Sequence, residues 1–171
     1  MNQGFRFEGY DCRDPLLYHQ MTLSLKKIFT EHRHELHHVI RIASKIRERL
    51  EKLNLFIQQA NQNVCSHCKE VCCISKHGYY TRDDLIYIFA LGLEPPHVIF
   101  GRTDTDPCQY LLENGCSIER WLRPSGCNWY FCDSLLDYME PQVWYGDFDD
   151  SLRDVAELWL AMIEEFRKII E

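Results

Sequence analysis

The chain has no run of about 18 apolar residues, and this excludes an ordinary membrane-spanning helix. Its opening, Met1-Asn-Gln-Gly-Phe-Arg-Phe-Glu8, lacks the basic and then apolar blocks of a secretory leader. The expectation is a cytoplasmic protein in a reducing environment, without a membrane partner. Positive charge is scarce as well. With 19 basic against 26 acidic residues, the formal charge is −7, which disfavours a nucleic-acid binder that works by neutralising phosphates. Glycine and proline are missing from Leu16 to Ala60, so nothing there forces a helix to stop. At 171 residues, 46% of them hydrophobic and 26% charged, the composition is that of a soluble globular chain, and one domain suffices.

What the chain has in excess is cysteine. Eight of its nine cysteines fall between Cys65 and Cys132. They form two groups: Cys65, Cys68, Cys72 and Cys73, then Cys108, Cys116, Cys127 and Cys132. In a reducing compartment, cysteine of this density points to metal or catalysis before it points to disulfides. Four thiolates satisfy a zinc ion or an iron–sulfur cube, so two groups of four allow two centres. Cys65 and Cys68, with two residues between them, have the spacing of a knuckle turn that aims both sulfurs at one metal. Cys72 and Cys73 are adjacent, and adjacent side chains diverge, which suggests ligands shared between neighbouring irons or centres. His67 and His77 are spare donors. Cys12, alone in an aromatic arm over residues 1–15, is expected to be a small buried hydrophobe.

Around this lobe the pattern is helical. Leu25, His32, Leu36, Val39, Ala43, Ile46, Leu50, Leu53, Ile57 and Ala60 recur mostly at spacings of three and four. They predict one long helix over the segment 16–62, or two with a break near residues 31–38, packed on another helix. His34-Glu35-Leu36-His37-His38 matches H-E-x-x-H, the zinc-protease motif. The apolar seam turns His34 and His38 to the polar side, however, and the match is set aside. Thr81-Arg-Asp-Asp84 predicts a helix N-cap, with a short helix ending at Gly92. Asp104 and Asp106 are read as turn formers.

In the segment 133–171, Asp133 to Glu140 predicts a short helix stopped by Pro141. The acidic run Asp147-Phe-Asp149-Asp150 is read as a solvated turn. Ser151-Leu-Arg-Asp154 is read as a cap for a last helix, whose stripe of Leu152, Val155, Ala156, Trp159, Met162, Ile163, Phe166 and Ile170 packs on the first seam. The expected fold is mainly α, with N- and C-terminal helices around a loop-rich cysteine lobe at 63–132 and little sheet.

Cys65-x2-Cys68-x3-Cys72-Cys73 followed by Cys108-Gln-Tyr-Leu, Gly115-Cys116-Ser-Ile118 and Arg123-Pro-Ser-Gly-Cys127 resembles the CxxCxxCC cysteine-cluster family of zinc- or iron-chelating domain proteins. The resemblance spans residues 65–132. It implies that Cys65, Cys68, Cys72, Cys73, Cys108, Cys116 and Cys127 are ligands, with Arg123 and Pro124 shaping the loop before Cys127. Cys132 is additional and would complete a second set of four. The front half has one residue more than the family name, and so has the interval from Cys116 to Pro124. A flagellin lysine methylase related to this family looks to use an iron–sulfur centre with S-adenosylmethionine. Methylation is not transferred, because the radical-enzyme motif C-x3-C-x2-C stands here in reverse order.

The resulting expectation is a metal-binding protein holding one or two cysteine-ligated centres, with iron–sulfur ahead of zinc. The alternatives are an enzyme or electron carrier that uses the cluster, or a zinc-structured module for a protein partner. A pocket beside the cysteines lined by Trp121, Trp129 and Tyr130 would favour a substrate.

Overall fold

Helical periodicity and the positions of the breakers account for the order of elements. The computed structural model describes residues 13–68, 73, 78–103, 105–113 and 115–170. Among these the chain is mainly α. Helix α1 spans Pro15–Glu31, α2 His37–Val64, α3 Arg82–Ala90, α4 Gly126–Trp129, α5 Asp133–Met139 and α6 Tyr145–Ile170. One two-stranded antiparallel ribbon pairs β1, Leu111–Leu112, with β2, Gly115–Cys116. No described helix is long and apolar enough to cross a membrane.

The first seam forms as two helices, with the break at residues 32–36. Asp14 caps α1 by accepting from the Leu16 and Leu17 amides, and Pro15 at the first helical position has no amide to leave orphaned. Leu36, Val39, Ala43, Ile46, Leu50, Leu53, Ile57 and Ala60 are all buried. The break also disposes of the H-E-x-x-H match. His34 lies in the turn, whereas His38 lies in α2 beside the Arg41 guanidinium, so the two histidines do not share one helix face.

Helix α6 lies antiparallel to α2. Phe56 stacks on Trp144 and meets Phe148 edge-on, while Arg49 pairs with Asp154 farther along. The stripe predicted for α6 is the one that packs: Val155, Trp159, Met162, Ile163 and Phe166 are buried. The start of this helix corrects the sequence reading. It begins at Tyr145, so Asp147, Asp149 and Asp150 sit in its first turns and Ser151 lies inside it. Two forces override the local cap signal at Ser151. Phe148 buries itself against Phe56, Phe131 and Tyr145, and carboxylates near a helix N-terminus are favoured by its dipole.

Helix α3 is buried from Asp84 to Ala90, as befits a helix apolar on all sides, and it packs against α1, α2 and α6. Its cap is the predicted one: Thr81 and Asp84 form a reciprocal capping box, and Gly92 takes the positive φ that ends it. Just before it stands Tyr80, fully buried, whose hydroxyl donates to the Leu122 carbonyl at 2.9 Å. This ties the helix to the cysteine-bearing loop. Burial holds the Tyr80 and Tyr87 hydroxyls well above the usual tyrosine range. A raised folded pKa gives stability that is present below the unfolded value, about 10, and lost above it. Tyr80→Phe is therefore expected to cost about 1 kcal/mol at neutral pH. The same variant should lessen the steepness of alkaline unfolding, and both effects are measurable by urea titration at pH 7 and above pH 10.

Candidate metal centre

Helices and short turns deliver the cysteines from separate parts of the chain. Cys73 and Cys108 meet through the backbone, the Cys108 amide donating to the Cys73 carbonyl at 2.7 Å. Gly78 lies against the same spot with φ +64°. A Cβ there would come 2.9 Å from Tyr110 Cδ2 and 3.1 Å from Cys108 Sγ. Only glycine lets the backbone pass so close to that sulfur without strain. Tyr110 holds the other side, its hydroxyl donating to the His97 carbonyl and its ring edge-on to Tyr80. The ribbon then turns the chain back, which brings Cys116 into place opposite Leu111.

Cys127 arrives on α4, after the turn Arg120–Leu122 and the sequence Arg123-Pro-Ser-Gly. The Ser125 amide donates to Asp84 Oδ1 at 2.9 Å, so the carboxylate that caps α3 also anchors this loop. Sequence reasoning identified Asp84 as a capping residue only. Its second bond crosses to a distant part of the chain that no local pattern reports.

Electrostatics show which thiols lie near one another. Burial pushes the Cys127 thiol up to about 11, and negative charge on Cys108 and Cys116 pushes in the same direction. Burial raises Cys108 too, with Cys116 adding to it. Burial lowers Arg120 to about 10, the neighbouring Arg123 lowers it further, and Cys127, Cys116 and Cys73 oppose both. Cys108, Cys116 and Cys127 thus influence one another, Cys73 joins Cys108 through the backbone, and Arg102, Arg120 and Arg123 are the nearby positive charges.

The remaining cysteines stand in other settings. Cys65 begins the turn after α2, its thiol 3.5 Å from Asn61 Oδ1, and Cys68 is exposed at the end of that turn. Cys132 is half-buried at the N-cap of α5. Cys12, Cys72 and His77 lie outside the described residues, and His67 is exposed. No disulfide joins any two described cysteines. Among the described residues, no three Cys, His, Asp or Glu side chains stand within reach of a single metal ion.

The donor chemistry nonetheless fits a thiolate centre. Arg120 is 7% exposed, and among the described residues its side chain makes one hydrogen bond, from a terminal nitrogen to the Cys127 carbonyl at 3.1 Å. Among the described residues its buried Nε has no partner, nor has the buried Asn128 Oδ1 beside Cys127. A buried guanidinium with unspent N–H groups needs negative charge nearby, and the thiols around Arg120 supply it when deprotonated.

A polar cavity of about 530 Å³ opens between α2 and the 117–123 loop and reaches Cys116. Trp121 lines it, as expected. Trp129 and Tyr130 do not: Trp129 sits edge-on to Trp159 instead. Of the three aromatics considered for a pocket beside the cysteines, Trp121 is thus on the cavity wall and Trp129 belongs to the packing of α6. No family model matches this chain, and no similar curated protein or solved structure is found.

Proposed function

We propose that the protein binds a cysteine-ligated metal centre, an iron–sulfur cluster in preference to zinc. Cys73, Cys108, Cys116 and Cys127 supply its inner ligands, and Cys65, Cys68, Cys72 and Cys132 are the further candidates. The observation that carries this reading is the buried, under-bonded Arg120, coupled electrostatically to Cys73, Cys116 and Cys127 from separate stretches of the chain. Four thiolates on a divalent ion leave two negative charges, and Arg120 with Arg123 would balance them. N–H donors aimed at sulfur also set the potential of an iron–sulfur centre. The Cys72-Cys73 pair and the surplus of thiols favour a cluster over a single zinc. When bound, such a centre supplies either electron transfer or a fold-stabilising crosslink. The chain's own part is to hold the sulfurs, offset their charge and limit water around them.

The test is metal and acid-labile sulfide analysis, with an optical spectrum, on protein purified without oxygen. Iron with matching sulfide and a broad visible band is the expected result. Stoichiometric zinc without sulfide would overturn the choice of cluster. Neither metal, even after anaerobic reconstitution, would overturn the function itself.

A further inference from the structure

The cavity beside Cys116 has a chemistry of its own. One wall is a face of α2, where Glu51, Asn54 and Gln58 follow at helical spacing, and the other is the loop carrying Glu119, Arg120 and Arg123. Two acidic and two basic side chains leave the lining formally neutral, and their hydrogen bonds decide which groups remain open. Glu51 already accepts from Arg47 Nε at 3.0 Å, and Glu119 from the Trp121 indole at 2.5 Å. Arg123 spends only its Nε, on the Ile118 carbonyl, and Arg120 spends one terminal N–H, on the Cys127 carbonyl. Neither guanidinium is paired with a carboxylate among the described residues, and the side chains of Asn54 and Gln58 are likewise without protein partners there.

The terminal N–H groups of Arg123 are therefore open to the cavity, beside two amides that can both donate and accept and two glutamates that each keep one carboxylate oxygen unspent. Arg120 alone does not decide the occupant, because the thiols also border it. The open fork of Arg123 and the two amides do, since no cysteine other than Cys116 lines this cavity. A guanidinium fork matches a planar carboxylate in a two-point bond. Glu51 and Glu119 at the same site repel a dianion such as phosphate. The volume lies within the range of small-molecule sites.

We propose that this cavity binds a small monocarboxylic acid bearing further hydrogen-bonding groups, with Arg123 and Arg120 on the carboxylate and Asn54 and Gln58 on its polar remainder. Arg120 and Arg123 are shared with the proposed metal centre, so carboxylate binding is expected to be strongest in metal-free protein, where no thiolates compete for them.

The experiment uses the full chain as purified. Hippurate, with one carboxylate and one amide, is titrated against it by calorimetry, beside methyl hippurate, which lacks the charge, and inorganic phosphate. Hippurate is expected to bind in the millimolar range or tighter, and the ester and phosphate to bind at least roughly tenfold more weakly. The double variant Asn54→Asp and Gln58→Glu keeps shape while replacing donors by charge. It is expected to fold with an unchanged circular dichroism spectrum and to lose hippurate binding by roughly tenfold or more. Equal binding of the ester, preference for phosphate, no binding of hippurate, or an unaffected variant would overturn the proposal. Metal content is measured on the same samples. Hippurate binding by protein that takes up no metal supports this site while counting against the metal centre.

Discussion

Asp84→Ala is expected to destabilise the protein by about 3 kcal/mol, as read by urea unfolding at neutral pH. Asp84 is 2% exposed, and its carboxylate accepts from the Thr81 amide, the Thr81 hydroxyl and the Ser125 amide. Truncation strands buried donors at about 1–3 kcal/mol each, incompletely additive, and removes a capping box worth about 1 kcal/mol. Asp84→Asn keeps the shape but offers N–H groups to donors, so only part of the loss is recovered. Burial holds the Asp84 carboxyl above its ordinary value, opposed by the Thr81 and Ser125 bonds. With the folded pKa raised, its contribution is fullest below the unfolded value near 4 and declines as pH rises through the folded one. The advantage of wild type over Asp84→Asn should therefore shrink from acid towards neutral pH. A loss below about 1 kcal/mol for the alanine variant would mean that the Ser125 bond holds the loop only weakly.

The N-cap at Thr81 was legible because capping is local: the threonine is followed at once by acidic residues and then by the apolar run, and the structure adds the reciprocal bond to Asp84. The seams of α2 and α6 were legible for a related reason. Leu50, Leu53 and Ile57, or Val155, Trp159 and Met162, must share a side once the segment is helical. The start of α6 was not, because Ser151-x-x-Asp154 offered an equally good local cap, and only the burial of Phe148 among partners from α2 and the 131 region decides against it. The ribbon that places Cys116 was missed as an element, although Asn114-Gly115 is a hairpin signal; its strands of two residues each carry no alternation to read.

The candidate site was legible in residue type and not in arrangement. Spacing names cysteines, but only the fold joins Cys73 to Cys108 through the backbone and sets Arg120 near Cys73, Cys116 and Cys127. Arg120 itself escaped notice. An arginine between Glu119 and Trp121 reads as surface, and its burial is a tertiary fact. The same holds for the cavity, whose open Arg123 terminal nitrogens appear only when hydrogen bonds from α2 and the 117–123 loop are counted together.

On the proposed function, Cys127→Ser should lower metal affinity by more than about a hundredfold, since losing a ligand exceeds the 10–100-fold cost of losing an outer partner. Cys116→Ser should do likewise. Two readouts separate ligation from packing. In metal-free protein, a serine at 127 trades one buried small side chain for another, and the change in unfolding free energy should stay near about 1 kcal/mol. In loaded protein the binding free energy is also folding free energy, so the same variant should unfold at a much lower temperature than wild type. A Cys127→Ser protein that loses stability equally in both states would make the thiol a packing group. Cys132→Ser serves as the graded comparison. Cys132 stands at the N-cap of α5 and takes no part in the Cys73–Cys108 backbone bond or the Arg120 contact with Cys127, and its replacement should leave most of the metal in place. If it removes as much metal as Cys127→Ser does, the centre extends to α5, and the docking of that helix on α2 becomes part of what the metal holds together.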